Sequence, residues 1–508
     1  MSREKIQSLD QLAIVAGEAR AAGRNIVLAH GVFDLMHLGH IRHLQEARSC
    51  GDTLIVTLTA DRFVNKGPGR PVFNQQMRAE MIAALEFVDW VGINDAPTAT
   101  PILRSLKPTV YVKGIEYADA GDDVTGGIIE EREAVEAGGG RIHFTDDITF
   151  SSSSLINQHL GIYDEELRSY LDGVRTSTLR NELVALIERV SDLQVTLVGD
   201  TIIDEYQYVE PLGKSPKETM IATRFRDREL FAGGVIAAAN HVAGFCAKVK
   251  VVTCLGEDES FEDLVRQSLK PNVELHIVPI AGRPTVRKCR FIDSGYLRKM
   301  FEVYTFDETP IHGAEEAALD RMVRDICGAA DVVIATDFGH GMITPRIVAA
   351  LEESAKFLAV NTQTNSANHG YNLITRYTRA DYICIDAPEA RLAMADKFSN
   401  LSDMIVNKLA QRINCPQLIV TRGKQGCTTY SRETGLHDIP SFTKTVVDTV
   451  GAGDAFLAVT SPLVAAGGRM DQIGFIGNAA GAMKVGIVGH RRSVEKAPLV
   501  KYITALLK

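Results

Sequence analysis

Gly31-Val32-Phe33-Asp34-Leu35-Met36-His37-Leu38-Gly39-His40 is the stretch that decides how the front of this chain folds. The apolar run at 26–29 before it reads as a short buried strand, and residues 41–47 after it have helical spacing. A strand entering a helix through such a turn leaves backbone N–H groups without intrahelical acceptors, and anions are favoured there. A neutral imidazole donates one hydrogen bond and a charged one counters a phosphate. His37 and His40 are therefore candidates to stabilise the charge that builds on a triphosphate as its α-phosphorus is attacked. Two histidines near a turn can also be ordinary half-buried polar groups, but Gly-x-Phe-Asp-x-x-His-x-Gly-His is a long pattern for chance to supply.

Working outward, residues 53–58, 88–93 and 109–112 read as strands and 75–85 as a helix. Short apolar strands alternating with helices imply a parallel sheet with ligands beyond the strand carboxyl ends. The loop Lys66-Gly67-Pro68-Gly69-Arg70 is either a solvated basic turn or a lid that brings Lys66 or Arg70 to phosphate. Arg78 could act likewise or face water. Residues 160–190 carry an amphipathic helical pattern that suits a connector or a dimer surface.

The quoted stretch resembles the signature of the cytidylyltransferase-like nucleotidyltransferases. In that family the His-x-Gly-His pair binds the nucleotide triphosphate and stabilises the transition state, which implies catalytic roles for His37 and His40 with Lys66. Gly31, Phe33, Asp34 and Gly39 become candidate nucleotide contacts by the same resemblance. Lys66 to Pro71, residues 84–91 and Val112-Lys113-Gly114 resemble the adenylyltransferase half of the bacterial bifunctional ADP-heptose synthases, adding Lys113. Phe150-Ser151-Ser152-Ser153-Ser154 resembles the hydroxyl-rich motif that closes such domains, where Ser152 and Ser153 would receive phosphate.

Size bounds the rest. At 508 residues the chain suggests two or three domains. Hydrophobic content of 45% and charged content of 23% are ordinary for a globular protein. A formal charge of -9 carries no basic signature, so nucleic acid is not an expected partner. Eight cysteines without Cys-x-x-Cys spacing argue against a disulfide framework or structural zinc. Neither a signal-like start nor a membrane-length apolar run is present, and a cytoplasmic protein is the expectation.

A second α/β region opens at 195–200 with a strand entering Gly199-Asp200, with Asp204 close behind. Ala232-Gly233-Gly234 feeds a small-residue helix ending near Asn240, where the backbone could approach a ligand or simply pack closely. Residues 206–228, 273–280 and 301–304 could supply a small β lid. The strong signal is Asp448-Thr449-Val450-Gly451-Ala452-Gly453-Asp454. Small residues before an apolar helix expose a row of N–H groups that suits a transferred phosphoryl group, and Asp454 can take a proton from a sugar hydroxyl.

This segment resembles the C-terminal signature of the ribokinase-like PfkB carbohydrate kinases, and Gly233 to Asn240 resembles their N-terminal one. The resemblance makes Asp200, Asp204, Gly233, Gly234 and Asn240 candidate sugar contacts. Gly451, Ala452, Gly453 and Asp454 fall on the phosphoryl-transfer turn. Lys288, Arg290 and Arg298 form a candidate receptor for a phosphate already on the sugar. Gly423 and Gly426 resemble the turn near bound ATP, although a tight hairpin needs glycine equally. Asp386 and Glu389 take the place of the family's magnesium-organising Asn-x-x-Glu, acting on the ion through water. Departures are His340 where lysine is usual, and Asn361-Thr362-Gln363-Thr364-Asn365.

The resemblance implies a Rossmann-like nucleotidyltransferase at 1–160, a helical linker at 161–192 and a ribokinase-like domain at 193–508, the reverse of the order in the bacterial synthases. It further implies Mg2+, ATP as donor to both halves, a heptose 7-phosphate as kinase substrate and ADP-heptose as product. A separate phosphatase would act between the two steps. The same chemistries on another sugar phosphate or with CTP, or a chain active only in its first half, are the alternatives.

Overall fold

A computed structural model of the chain describes residues 3–64, 67, 70–117, 127–145, 163–307, 309–443 and 445–508. Lys66, Ser152 and Ser153 lie outside the described residues. Two compact units are present, Met1–Arg180 with Ala497–Lys508, and Asn181–Lys496.

The first unit is built on β1 (Ile26–Gly31), β2 (Thr53–Thr59), β3 (Trp90–Asn94), β4 (Val110–Gly114) and β5 (Arg141–Thr145). Their order is β3-β2-β1-β4-β5, and every neighbouring pair is parallel. Alternate residues serve opposite faces. Leu54, Val56 and Leu58 meet Ala79 and Ile82 of the helix Gln75–Ala83, with Leu44 and Ala47 of the helix Leu38–Ser49. Ile26, Leu28, Ile55 and Tyr111 meet Leu12 and Ala16 of the helix Leu9–Ala21 and Ile102 and Leu103 of the helix Thr100–Leu106. With both faces covered, β2 is buried along its whole length. The order of the strands reverses at β1 and β4, so the crevice beyond their carboxyl ends is the place for a ligand.

In the second unit the strands are β6 (Gln194–Gly199), β7 (Thr201–Lys214), β8 (Ile221–Gly234), β9 (Lys248–Asp258), β10 (Val273–Pro284), β11 (Arg287–Asp293) and β12 (Arg298–Thr305). They continue with β13 (Val332–Asp337), β14 (Leu358–Thr362), β15 (Tyr382–Asp386), β16 (Gln417–Thr421), β17 (Cys427–Ser431) and β18 (Gly435–Ile439). Nine form one sheet in the order β10-β9-β6-β13-β14-β15-β16-β17-β18, parallel except for the two hairpins at its end. Four form a smaller sheet, β12-β11-β7-β8. The chain leaves the large sheet at Asp200 and returns from the small one at Gly234, where the helix Val235–Val242 begins. That crossing carries Asp200, Asp204, Gly233 and Gly234 to one junction.

Two expectations need correction. Residues 273–280 belong to β10, which pairs in parallel with β9 at the edge of the large sheet, whereas 206–228 and 301–304 do join the small sheet. An alternating pattern cannot say which sheet a strand joins. The helical stretch at 160–190 breaks into Glu165–Val174 and Ser177–Arg189, each with its own cap: Asp164 accepts from Leu167 N–H at 2.8 Å and Thr176 Oγ1 from Leu179 N–H at 3.0 Å. Among the described residues no helix is long and apolar enough to cross a membrane.

Candidate active sites

In the first unit His37 is the N-cap of the helix Leu38–Ser49, and its ring stacks on that of His40 with centroids 3.9 Å apart. Phe33 meets the His40 ring edge-on at 5.3 Å. To do so Phe33 adopts φ 48°, a left-handed conformation that costs a side-chain-bearing residue energy and concentrates at functional sites. Its ring lies so close to Gly31 that a Cβ there would stand 3.1 Å from Phe33 Cε2. Gly31 and Phe33 thus support His40. Asp34 is buried and accepts from Val72 N–H at 2.6 Å and from Arg70 at 3.1 Å, tying down the chain at 70–72.

Arg78 neither faces water nor reaches for phosphate. Fully buried, it donates to the carbonyls of Phe73, Val32 and Thr59 and pairs with Asp61 at 2.6 Å. Lys113 stands at the end of β4, in the expected crevice, and pairs with Glu131 at 2.8 Å. His30, which the motif reading passed over, joins β1 to β2 through Thr57 Oγ1 at 2.9 Å; burial, reinforced by Lys113, pushes its pKa down to about 3 and keeps it neutral.

Around Asp454 the second unit assembles a buried charged cluster. Gly451 caps the helix Ala452–Ala465 at φ 73°, a conformation open to glycine, and sets Asp454 in the first turn. Burial pushes the Asp454 carboxyl up to about 6; the charges of His490 and Lys484 oppose the rise, and that of Asp204 adds to it. Asp204 pairs with Arg290 and with His490 Nε2 at 3.2 Å. Burial alone would raise Asp204, but His490 and Arg290 reverse this and hold it well below the usual carboxylate range. Gly233 is required by close approach, since a Cβ there would stand 2.0 Å from Asp204 Oδ2. Lys288 is buried beside them, its pKa lowered by that burial.

Asp200 accepts from the N–H groups of Phe338 and His340 at 3.2 and 3.4 Å, and burial with the nearby Asp337 pushes its pKa up to about 7. His340 is buried too, and its pKa falls to about 3 through burial and the charge of Lys288. In the segment that departs from the kinase pattern, Asn361 bonds the Cys384 carbonyl at 2.8 Å, and Asn365 that of Phe338 at 3.1 Å.

Other candidates are engaged elsewhere. Asn240 spends its amide on Ser268 O and Lys270 N–H, at 2.8 and 3.0 Å. Arg298 is exposed on β12 opposite Asp293. Gly426 serves the β16–β17 hairpin, since a Cβ there would stand 2.0 Å from Ile439 O, whereas Gly423 borders open space. Asp386 and Glu389 form a capping box: Asp386 accepts from Glu389 N–H at 2.7 Å, and Glu389 from Asp386 N–H at 2.9 Å and Thr364 N–H at 3.1 Å. Burial pushes both carboxyls upward. Each Glu389 oxygen accepts one N–H, and the Asp386 oxygen outside the box is Oδ2, so the pair keeps lone pairs that suit a magnesium-bound water. Among the described residues no three His, Cys, Asp or Glu side chains are grouped to hold a metal.

His490 and Lys484 are the residues that motif reading missed. Both reach the Asp454 turn only through packing.

Comparison with known proteins follows this division. The pattern of the pfkB family carbohydrate kinases matches residues 192–497, and that of the cytidylyltransferase-like family matches residues 28–158. In its N-terminal region the chain is similar to the bifunctional protein HldE of Geobacter metallireducens, 39% identical over 171 residues, covering 32% of this chain and 33% of that protein. HldE of Wolinella succinogenes is 40% identical over 138 residues, covering 27% and 29%. The chain thus spans about a third of the length of these curated relatives. Among solved structures, the tetrameric inhibited form of Escherichia coli phosphofructokinase-2 overlays with TM-score 0.50 at 14% identity, covering 62% of this chain and 100% of that one. The same enzyme with fructose-6-phosphate gives 0.50 at 15%, with 62% and 100% covered. At such identity the likeness concerns the fold.

Proposed function

The chain belongs to the pfkB family of carbohydrate kinases, with a cytidylyltransferase-like unit ahead of the kinase, and on that premise we propose that it phosphorylates a heptose 7-phosphate at its anomeric hydroxyl and transfers adenylate to the heptose 1-phosphate. ATP serves as donor in both reactions and ADP-heptose is the final product. The observation that carries the kinase half is the carboxyl of Asp454, buried at a left-handed helix start and facing the charges of Asp204 and His490. The anomeric oxygen attacks the γ-phosphorus, its proton passes to Asp454, and the bond to the β-phosphate breaks to release ADP. N–H groups at Gly451 and Gly453 face the charge on the group in transit, whereas that of Ala452, which the sequence grouped with them, donates to Thr449 O at 3.2 Å. Lys288 and Arg290 supply the positive charge that a phosphate already on the sugar calls for.

In the first unit an oxygen of the sugar 1-phosphate attacks the α-phosphorus of ATP and pyrophosphate leaves, with His37 and His40 stabilising the charge that develops. The kinase product still carries its second phosphate, so a separate phosphatase acts between the steps. The cytidylyltransferase-like match favours CTP as the alternative donor.

Asp454→Asn tests the kinase half, because the amide keeps the shape and cannot take the proton. ADP formation from the sugar phosphate is expected to fall by about a thousandfold or more, while pyrophosphate release from a supplied sugar 1-phosphate continues. Retained ADP formation would reject the base assignment.

A further inference from the structure

Lys484 ends the helix Met470–Lys484 and is fully buried. Its ammonium donates to the carbonyl oxygens of Val450 at 2.7 Å and Gly489 at 2.8 Å. A buried lysine ordinarily finds a carboxylate. Here both hydrogen bonds go to backbone carbonyls, which is how a protein holds a free cation. The two carbonyls belong to two loops of the candidate kinase site. Val450 precedes Gly451, the left-handed residue at the start of the Asp454 helix, and Gly489 precedes His490, which bonds Asp204. A Cβ on Gly451 would stand 2.6 Å from His490 Cε1 and 3.4 Å from Lys484 Cε, so the loops close tightly about this point.

The surroundings are built to keep the loops there. Val447 and Asp448 N–H groups both bond Val485 O, at 2.8 and 3.1 Å, and Gly489 N–H bonds Asp448 Oδ2 at 2.8 Å. Asp448 is itself held by Tyr206 and Lys299, each at 2.7 Å. Burial lowers the Lys484 pKa, and the carboxylates of Asp448, Asp454 and Asp204 oppose that.

We propose that the Lys484 ammonium is a built-in cation of the kinase site, occupying a carbonyl-lined position between the 448–451 turn and the 488–490 loop and so aiming the phosphoryl-binding turn and His490. Lys484 is a positioning residue; it acts through the backbone it holds. The proposal rests on the kinase reading of Asp454. It adds that the kinase needs no free monovalent cation, and that a side chain removed from this position leaves room that ammonium, propylammonium or potassium can fill.

The test uses the full chain, unaltered and as Lys484→Met and Lys484→Ala, in tetramethylammonium chloride and then with part of it replaced by ammonium, propylammonium or potassium chloride. ADP formation and thermal midpoint are measured in each salt. The unaltered protein is expected to turn over within about twofold in all salts. Lys484→Met fills the volume without the charge and should lose about a hundredfold in kcat with KM little changed, as expected when positioning fails, and no salt should restore it. Lys484→Ala should lose as much in tetramethylammonium chloride and recover about tenfold or more with a small cation, its thermal midpoint rising as the cation binds. Full turnover by Lys484→Met, an alanine variant with neither recovery nor a cation-dependent midpoint, or an unaltered protein that itself needs ammonium or potassium would overturn the proposal. The last comparison stands even if neither variant folds. If the unaltered protein forms no ADP from any sugar phosphate, the kinase reading fails separately, and the cation-dependent midpoint of Lys484→Ala then decides for or against the cation site.

Discussion

The two candidate sites are put together in opposite ways. In the first unit one strand, one turn and one helix start hold Phe33, His37 and His40 within a few residues of one another. In the second, Asp204, Arg290, Asp454, and Lys484 with His490 come from four places in the chain and meet where two sheets join. A site made from contiguous chain depends on local backbone geometry. One assembled from distant segments depends on packing, so residues that touch no substrate can govern it.

Substitutions that affect one site and spare the other sharpen this contrast. Below the loss expected for Asp454→Asn come His37→Ala and His40→Ala, each lowering pyrophosphate release by about a hundredfold or more while ADP formation from a sugar phosphate continues. Near-normal release would break the assignment. Next comes Gly451→Ala, which strains a residue at φ 73° and drives a methyl against His490. It should cost about 1–3 kcal/mol in stability by denaturant titration and several tens-fold in kinase kcat, with pyrophosphate release preserved. His490→Ala removes the bond to Asp204 and should reduce kinase kcat/KM by about tenfold. The smallest effect is that of pH. Asp454 must be ionised to accept a proton, and burial pushes its pKa up to about 6, so kinase kcat/KM should be half its plateau near pH 6 and fall about tenfold per unit below. A profile flat down to pH 5 would remove Asp454 from the proton transfer.

The same contrast explains what could be read from sequence. The strand-turn-helix at 26–47 was legible because each part is local: an apolar run, a turn and a helical period. The Gly451–Asp454 turn was legible for the same reason. The company these residues keep was not. His490 lies 286 residues from its partner Asp204, and nothing in Val488-Gly489-His490 announces that contact. Lys484 follows an apolar, small-residue run at the end of its helix, where a lysine is a signal of burial but not of its partners. Asn240 makes a related point, since chain position near a motif does not fix where a side chain is spent, and its amide bonds Ser268 O and Lys270 N–H. Arg78 had the right charge near the right loop, yet its guanidinium bonds carbonyls and Asp61 inside the core.

The central claim is that one chain carries a sugar kinase and a sugar-phosphate adenylyltransferase acting on a heptose. It is tested most directly by offering the unaltered protein a panel of phosphorylated heptoses and hexoses with ATP, and sugar 1-phosphates with each of four nucleoside triphosphates, following ADP, pyrophosphate and the position of the new phosphate by phosphorus NMR. The account predicts anomeric phosphorylation of a heptose 7-phosphate ahead of any hexose phosphate, and pyrophosphate release that is fastest with heptose 1-phosphate and ATP. A hexose preferred in the first reaction, or CTP preferred in the second, would contradict it.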